Sequence, residues 1–242
     1  MSVLLSVTGL SKSFGAVVVA DDTNFDVRTG EAVGILGPNG AGKTSLFHLI
    51  TGALWPDTGR IEFAGRDITT MSAARRCNEG IARSFQVPQP FGGMTVFENA
   101  LVGATHGAGL RGLAAETHAL AVLNDTGLLS KSNIRAGSLT LLERKRLEMA
   151  RALAARPRLL LLDEIAGGLT DAECEMLIET IKRVHAGGTT IIWIEHVVHA
   201  LLAVVQRLIV IDFGKKIAEG DPRTIMESRE IKDIYLGMDP HA

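Results

Sequence analysis

The chain contains 242 residues, of which 46% are hydrophobic, and its 25 Lys and Arg residues against 27 Asp and Glu residues give a formal net charge of -2. Because this composition provides enough apolar surface for a full core, it excludes a disordered chain and fits one large domain, or a core with a small inserted subdomain. The near-neutral charge gives no broad electrostatic reason to expect nucleic acid as a partner.

Cysteine content and hydropathy indicate where the protein works. The two cysteines, Cys77 and Cys174, lie far apart and near no second cluster of metal ligands, so we expect a reducing compartment and neither a disulfide framework nor a zinc site. The stretch "MSVLLSVTGLSKSF" lacks a basic region followed by a long apolar run, and "ALLAVV" is far shorter than the roughly 18 residues of a membrane helix. We therefore expect a cytoplasmic protein with no transmembrane segment of its own.

The first third of the chain predicts a strand, a glycine loop and a helix in that order. Two extended runs, "SVLLSVTGL" and "NFDVRTGEAVGIL", open the chain, and Thr29-Gly30 is typical of a turn inside the second run. After "EAVGILG" the pattern becomes helical in "KTSLFHLI", residues 43–50. The stretch "GRIEFAGRDI" then predicts two short strands around Gly65.

The rest of the chain alternates between helices and strands. The glycine-rich piece "QVPQPFGGMTVFENALVGATHGAGLRG" precedes helical segments such as "AAETHALAVLNDTGLL" and predicts an inserted subdomain. Buried strands are predicted in "RLLLLDE" and "TTIIWIE", separated by an amphipathic helix that contains Leu177 and Ile181. The stretch "LIVIDFGKKIAEG" predicts a hairpin that turns at Gly214, followed by a helix capped by Asp221. Strands that alternate with helices predict a largely parallel α/β sheet.

A phosphate-binding loop is predicted in "GPNGAGKT", residues 37–44, which matches the G-x-x-x-x-G-K-[ST] pattern between a predicted strand and a predicted helix. Its glycines allow backbone N–H groups to surround an anion, and the helix N-terminus adds positive potential. We expect Lys43 to reach the β- and γ-phosphates and the Thr44 hydroxyl to bind Mg²⁺. The predicted nucleotide-binding residues of this loop are Gly37, Pro38, Asn39, Gly40, Ala41, Gly42, Lys43, Thr44 and Ser45.

Two adjacent carboxylates, Asp163 and Glu164, end the apolar strand "LLLLDE". A strand parallel to that of the phosphate loop brings Asp163 to the edge of the sheet where ligands bind. We expect Asp163 to position Mg²⁺, directly or through water, and Glu164 to polarise the attacking water, as a general base or by orienting it. Alone, the stretch is more typical of a strand end with two solvated acids; the phosphate loop favours the functional interpretation.

With these motifs the chain resembles the ATP-binding subunits of ABC transporters, and the resemblance covers nearly the whole chain in the family's motif order. It implies an α/β P-loop NTPase fold: a RecA-like mixed sheet flanked by helices, an N-terminal antiparallel β part and an inserted α-helical subdomain. We expect one domain over residues 1–242. Its nucleotide-binding core comprises residues 1–86 and 152–242, and its helical subdomain comprises residues 87–151, to within a few residues.

The resemblance also assigns three residues outside the phosphate loop. Phe14 aligns with the aromatic residue that stacks on adenine, and Gln86 in "RSFQVPQPF" aligns with the glutamine that touches Mg²⁺ and the attacking water. His196 in "IIWIEH" aligns with the switch histidine, which contacts the γ-phosphate. Each residue means little alone, because a single Phe, Gln or His is more often structural. The implied catalytic residues are Lys43, Gln86, Glu164 and His196, and the implied Mg²⁺ ligands are Thr44, Gln86 and Asp163.

One motif departs from the family pattern. Most members carry Leu-Ser-Gly-Gly-Gln before the helix that leads into the Asp-Glu strand, where this chain has "LTLLE", residues 139–143. The resemblance implies that Thr140 and the neighbouring N–H groups contact ATP in trans, on the opposite subunit, and we expect the Cβ atoms of Leu141 and Leu142 to crowd that phosphate. Because Thr140-x-x-Glu143 is also a capping box, a second interpretation is an ordinary capped amphipathic helix whose basic residues are solvated.

Within the family, "MTVFENALVGA", "AGGLTDAE" and "IKDIYLG" are most similar to the ATPase subunits of branched-chain amino acid importers. This resemblance implies an ATPase that uses ATP and Mg²⁺, forms a homodimer or a heterodimer with a similar subunit, and drives transmembrane permease subunits through residues 86–103 at the inner face of the cell membrane. The open alternatives are the ATPase of a urea or amide importer or of lipopolysaccharide export, a soluble ABC ATPase of DNA repair or translation, and a regulatory module with little turnover.

Overall fold

The computed structural model of the chain describes residues 2–229 and 231. Its strands, in chain order, are β1 (Val3–Phe14), β2 (Val17–Arg28), β3 (Ala32–Leu36), β4 (Thr58–Phe63), β5 (Arg66–Asp67), β6 (Ile81–Arg83), β7 (Leu159–Asp163), β8 (Thr190–Ile194), β9 (Arg207–Asp212) and β10 (Lys215–Gly220). The helices are α1 (Lys43–Thr51), α2 (Ala73–Asn78), α3 (Val96–Val102), α4 (Gly112–Asp125), α5 (Leu141–Ala154), α6 (Asp171–Ala186), α7 (Val198–Leu202) and α8 (Pro222–Glu227).

The strands form two sheets. The first is antiparallel with the order β2-β1-β4-β5, and the second has the order β10-β9-β3-β8-β7-β6. In the second sheet all neighbours are parallel except β9 and β10, which form the predicted hairpin at Gly214. The predicted fold class, a mixed P-loop NTPase sheet with an antiparallel N-terminal part, is therefore confirmed.

Most buried apolar residues of the described chain belong to three clusters. One cluster lies between the two sheets and includes Leu5, Phe47 and Ile192, while a second covers the other face of the parallel sheet with Leu177 and Trp193 among its members. A third cluster joins α3, α4 and α5, inside the region predicted as a helical subdomain. The boundaries at residues 87 and 151 remain a prediction, and α5 itself continues to Ala154. Within the described residues, every helix is too short or too polar to span a membrane.

Most local predictions are confirmed. The helix after the glycine loop, the two strands around Gly65 and the cap at Asp221, whose carboxylate accepts the N–H groups of Arg223 and Thr224, are all present. The sequence patterns do not predict β6, because three residues are too few for a period and only pairing with β7 defines the strand. The segment "IKDIYLG" lies outside the described residues except for Ile231.

The order of the parallel strands positions the candidate site. The carboxyl ends of β3, β8, β7 and β6 lie at one edge of the sheet, and the segments that leave them carry the phosphate loop, His196, Glu164 and Gln86 respectively. Strand β8 lies between β3 and β7, so the strand that ends in Asp163 is the second neighbour of the phosphate-loop strand. Ligand sites of open parallel sheets occur at such an edge.

Candidate functional site

The phosphate loop, residues 37–44, connects β3 to α1 as predicted. Gly42 precedes the helix with a φ of 100°, and a Cβ atom there would lie 2.1 Å from the carbonyl oxygen of Val19. A Cβ atom on Gly37 would lie 2.1 Å from the carbonyl oxygen of Ile211. Both positions therefore require glycine to bring the loop against its neighbouring strands, which leaves the amides at the start of α1 at the open edge of the sheet.

Lys43 is buried and folds back over its own loop. Its Nζ atom donates to the carbonyl oxygens of Gly37 at 2.6 Å and Pro38 at 2.9 Å. Burial lowers the pKa of Lys43, and the negative charges of Glu164 and Asp163 partly offset this decrease. The lysine is therefore held by acceptors that a phosphate group can replace, in a region where two carboxylates favour a cation.

Asp163 is buried at the end of β7 and is paired with Arg83, which the sequence analysis did not assign to the site. The Arg83 guanidinium donates to Asp163 Oδ2 and also lies 5.5 Å from the ring centroid of Phe47. The second carboxylate oxygen, Asp163 Oδ1, is buried and has no hydrogen-bond partner among the described residues. An unsatisfied carboxylate oxygen behind the phosphate loop fits Mg²⁺, which prefers oxygen ligands, and Thr44 adds a hydroxyl at the start of α1.

Glu164 forms a polar cluster with two residues from other loops. Gln86 Nε2 donates to Glu164 Oε2 at 2.6 Å, and His196 Nδ1 lies 3.9 Å from the same oxygen. Glu164 has a φ of 45°, in the left-handed region that residues with a side chain rarely occupy. Three residues predicted from separate parts of the sequence thus converge at the edge where the sheet opens, beside the loop that carries Lys43.

Two further charged residues near this cluster were not assigned from the sequence. Glu195 is fully buried directly before His196, and Lys145 is only 3% exposed on α5. The interpretation of the basic residues of α5 as solvated is therefore wrong for Lys145. The only sequence signal is the presence of ionisable residues beside recognised motifs, and charge alone does not distinguish a buried position from an exposed one.

The segment 139–143 forms the predicted capping box at the start of α5. Thr140 Oγ1 accepts the N–H of Glu143 at 3.4 Å, and Glu143 Oε2 accepts the N–H of Thr140 at 3.0 Å. Burial raises the pKa of Glu143, but hydrogen bonds from Lys131 and Thr140 outweigh this effect, so the pKa is lowered overall. The N–H groups of Leu141 and Leu142 have no recorded acceptor among the described residues and remain at the open helix end.

The two leucines of this segment occupy different environments. Leu142 is 6% exposed and packs with Ile165, Ala166 and Leu177 in the cluster beneath the parallel sheet. The side chain of Leu142 therefore points into the protein, and the expectation that its Cβ atom crowds a phosphate remains a prediction. Leu141 is 43% exposed and lies over the loop after β7. A Cβ atom added to Gly168 in that loop would lie 3.5 Å from Leu141 Cδ2.

Among the described residues, no hydrogen bond joins Phe14 or Thr140 to the central cluster. Phe14 ends β1, is 53% exposed, and has Lys12 Nζ 5.3 Å from its ring centroid, so a flat aromatic surface is available to solvent. The recorded hydrogen bonds of Thr140 all lie within α5 and its cap. The contact of either residue with a nucleotide therefore remains a prediction.

An apolar cleft lies between α2, the segment after β6, and α5. Phe85, Val102 and Ala155 contribute apolar surface, while Glu148 and Arg151 lie at its polar side. Phe85, Val87 and Phe91 are all about half exposed or more, at 52%, 66% and 46%, in the segment that also carries Gln86. Exposed aromatic and aliphatic residues concentrated in one segment are characteristic of an interaction surface.

The segment after Gln86 is fixed to α5 through both polar backbone groups of Gln89, its N–H and its carbonyl oxygen. Glu148 Oε1 accepts the N–H of Gln89 at 3.0 Å, and Arg151 Nη1 donates to the carbonyl oxygen of Gln89 at 3.0 Å. Arg151 also lies 4.8 Å from the ring centroid of Phe91. Burial raises the pKa of Glu148, although Arg151 partly offsets this increase. The apolar cleft is thus connected through one short segment to both Gln86 and α5, the helix that begins within residues 139–143.

Comparison with known proteins gives consistent matches. A family model described as ABC transporter matches residues 20–167. A probable ABC transporter ATP-binding protein of Azorhizobium caulinodans is 37% identical over 235 residues, which cover 96% of this chain and 83% of that protein. The high-affinity branched-chain amino acid transport ATP-binding protein LivG of Escherichia coli strain K12 is 34% identical over 250 residues, which cover 97% of this chain and 98% of LivG.

Two more similarities bear on function and fold. The lipopolysaccharide export system ATP-binding protein LptB of Acidithiobacillus ferridurans is 33% identical over 237 residues, which cover 98% of each chain. A crystal structure described as the ADP conformation of an ATP-binding cassette of an ABC transporter superposes with a TM-score of 0.89 at 30% identity. That superposition covers 98% of this chain and 100% of the crystallised chain.

Proposed function

We propose that this chain, which belongs to the ABC transporter family, is the ATP-hydrolysing subunit of an importer for branched-chain amino acids. Membership follows from the family match over residues 20–167 and from relatives more than 30% identical over nearly the whole chain. It makes the chain an ATPase with the cassette fold. The observation that carries the proposed chemistry is the convergence of Gln86, Glu164 and His196 beside the phosphate loop.

In this proposal the phosphate loop and Asp163 hold the nucleotide and its metal ion. Lys43 exchanges the carbonyl oxygens of Gly37 and Pro38 for the β- and γ-phosphates, and the amides at the start of α1 bind the same groups. Thr44, Asp163 and Gln86 would hold Mg²⁺, which would supply positive charge to neutralise the charge that develops on the phosphates. Phe14 supplies the surface on which adenine stacks.

Glu164 orients and polarises the attacking water. Its Oε2 atom already accepts a hydrogen bond from Gln86, so the amide fixes the direction of the carboxylate while the second oxygen is available to a water molecule. His196 is more than half exposed and its Nδ1 atom lies 3.9 Å from Glu164 Oε2, which supports a contact of its imidazole with the γ-phosphate in this proposal. General base catalysis and water orientation of this type typically contribute about 10²- to 10⁴-fold to a rate.

A second subunit completes each nucleotide site. The exposed N-terminus of α5, with the Thr140 hydroxyl and the N–H groups of Leu141 and Leu142, faces the γ-phosphate held by the partner. The inward position of Leu142 supports this role, since it leaves its amide accessible without a side chain over the helix end. The partner is an identical chain or a similar ATPase subunit.

The apolar cleft beside Gln86 docks the transmembrane permease. Phe85 lines the cleft, Val87 and Phe91 present further apolar surface in the same segment, and Glu148 and Arg151 connect this segment to α5. A permease segment in the cleft therefore moves Gln86 and the start of α5 together. This docking holds the ATPase at the inner face of the cell membrane, where residues 86–103 contact the permease.

The proposed solute rests on the similarity to LivG, together with "MTVFENALVGA" and "AGGLTDAE". A second candidate function is lipopolysaccharide export, which the 33% identity to LptB over 98% of both chains favours to a similar degree. In both cases the ATPase chemistry is the same. The membrane partner, not this chain, selects the transported molecule.

Deletion of the gene and measurement of labelled leucine uptake tests the proposed solute. We expect uptake to be lost, to return with the wild-type gene and with Glu179→Gln, an exposed control on α6, and to remain absent with Glu164→Gln. Normal leucine uptake together with impaired lipopolysaccharide export would instead establish the second candidate. Wild-type ATP turnover by purified Glu164→Gln would refute the role of Glu164 whatever the solute.

A further inference from the structure

The backbone of Glu164 adopts a conformation that its surroundings must maintain. Its φ of 45° lies in the left-handed region, where a residue with a Cβ atom persists only when several contacts hold it. The N–H of Glu164 donates to the carbonyl oxygen of Ile194 at 2.8 Å, which extends the pairing of β7 with β8 by one residue. This bond fixes only one side of the residue, so the carbonyl side needs a separate explanation.

Lys145 contacts that carbonyl group. Its Nζ atom lies 3.5 Å from the carbonyl oxygen of Glu164, and the whole residue is only 3% exposed. Among the described residues, Lys145 has no carboxylate within 4.0 Å. Burial lowers the pKa of Lys145, and the charges of Glu195 and Glu164 partly offset the decrease. A buried lysine with one long hydrogen bond contributes little to the free energy of folding. Its contact with the carbonyl oxygen therefore indicates a role at Glu164.

Glu195 holds the same loop at a second point. Its Oε2 atom accepts the N–H of Ala166 at 2.9 Å, two residues after Glu164. Its Oε1 atom accepts the N–H groups of His196 at 3.0 Å and Val197 at 3.3 Å. The carboxylate is fully buried, so these three amides replace water as its ligands and bind it tightly.

Together these contacts join three segments whose residues meet the nucleotide in the proposed function. Lys145 belongs to α5, which starts at residues 139–143, while Glu195 directly precedes His196. His196 also packs on the loop itself, since a Cβ atom on Gly167 would lie 3.2 Å from its Cε1 atom. A displacement of α5 or of the His196 segment is therefore transmitted to the backbone of Glu164.

We propose that Lys145 and Glu195 are positioning residues that hold the Glu164 loop in its left-handed conformation, and so set the direction of the Glu164 carboxylate toward the attacking water. This inference rests on the proposed role of Glu164 as the residue that orients water. Lys145 fixes the carbonyl group of Glu164 and Glu195 fixes the amide of Ala166. Neither residue touches the phosphate loop in the recorded hydrogen bonds, so the effect falls on turnover and not on nucleotide affinity.

The test compares Glu195→Gln and Lys145→Met with wild type in steady-state hydrolysis of Mg·ATP. We expect kcat to fall at least about tenfold in each variant, because small displacements of a reacting group have large effects on rate. KM and the affinity for a fluorescent ATP analogue should stay within about twofold, because Lys43 and its loop are unchanged. The double variant should be no slower than the slower single variant, since both act on one loop.

The exposed pair Glu179 and Lys182 on α6 supplies matched controls. Glu179→Gln and Lys182→Met make the same changes in side chain and charge, and we expect wild-type kcat and KM. Normal kcat in both buried variants would overturn the proposal, and so would losses of kcat that parallel losses of nucleotide affinity and melting temperature, since the residues would then be structural. Glu164→Gln in the same series separates the two ideas: wild-type turnover there refutes the role of Glu164 itself, whereas an inactive Glu164→Gln with active buried variants refutes only the positioning.

Discussion

The pairing of Arg83 with Asp163 places an internal cation where the proposed function requires a metal ion. Both side chains are nearly inaccessible, with 8% and 2% exposure. One oxygen of Asp163 accepts from Arg83, and the other has no partner among the described residues. In this arrangement the guanidinium compensates the buried carboxylate in the nucleotide-free protein, and the second oxygen stays available to Mg²⁺.

Arg83→Gln should therefore destabilise the nucleotide-free protein. Removing the cation leaves a buried carboxylate without a counter-charge, and we expect the free energy of unfolding to fall by about 3 kcal/mol. Urea denaturation measures the change. Arg66→Gln is the control, because Arg66 forms an exposed pair with Glu79 and should lose less than about 1 kcal/mol. Equal losses in the two variants would show that Arg83 does not compensate Asp163.

Some parts of the site follow from the sequence and others do not. The phosphate loop and Asp163 can be predicted from the sequence because their motifs are local and lie beside predicted strands. The partner of Asp163 cannot be predicted from the sequence. Arg83 is 80 residues from Asp163 along the chain, and only the parallel pairing of β6 with β7 brings the two together. The burial of Glu195 is likewise set by amides of two different loops, which no spacing in the sequence encodes.

At the scale of elements, α5 combines a structural face with an exposed N-terminus. In the predicted capping box, the side chain of Thr140 accepts the N–H of Glu143, and the side chain of Glu143 accepts the N–H of Thr140. The direction of Leu142 could not be predicted, because the buried face of a helix depends on which neighbours it packs against, here Ile165 and Leu177. The replacement of the family's two glycines by leucines therefore changes the packing of the core at Leu142 and the exposed surface at Leu141.

Restoring the family's glycine at the two positions should give different results. Leu142→Gly removes a buried side chain, and we expect the free energy of unfolding to fall by about 3 kcal/mol or more, mainly from the cavity. Leu141→Gly removes a side chain that is 43% exposed, and a loss below about 1.5 kcal/mol is expected. Chemical denaturation of both variants provides the comparison. A stable Leu142→Gly protein with faster ATP turnover would contradict the assignment of Leu142 to the core.

At the scale of the whole molecule, the topology separates the two halves of a nucleotide site. The phosphate loop, Asp163 and Glu164 lie at the carboxyl edge of the parallel sheet. The hydrogen bonds of Thr140 stay within the cap and first turn of α5, and α5 contacts the Glu164 segment through Lys145. The largely parallel direction of the strands was predictable from the alternation of strands and helices. The distance between the two halves was not, since it depends on how α3, α4 and α5 pack on the core.

This separation leads to a complementation experiment. Thr140→Asp retains a good helix cap but directs a carboxylate toward the partner's phosphate, so the variant should fold and lose most turnover. Glu164→Gln should also be inactive, through the opposite half of the site. In a pair formed from one subunit of each variant, one site carries both defects and the other carries neither. With random pairing, half of the pairs are mixed and half of their sites are intact, so we expect about a quarter of the wild-type rate.

A mixture of Glu164→Gln and Asp163→Asn is the matched control for this experiment. Both changes lie in the half of the site that contains the phosphate loop, so every mixed pair has two defective sites and turnover should stay at the level of the separate variants. Recovery in the first mixture alone establishes that Thr140 acts on the nucleotide of the other subunit, because no arrangement within one chain can restore a site when each chain carries a defect. Absence of recovery in both mixtures would assign Thr140 to its own subunit and remove the reason for a paired ATPase.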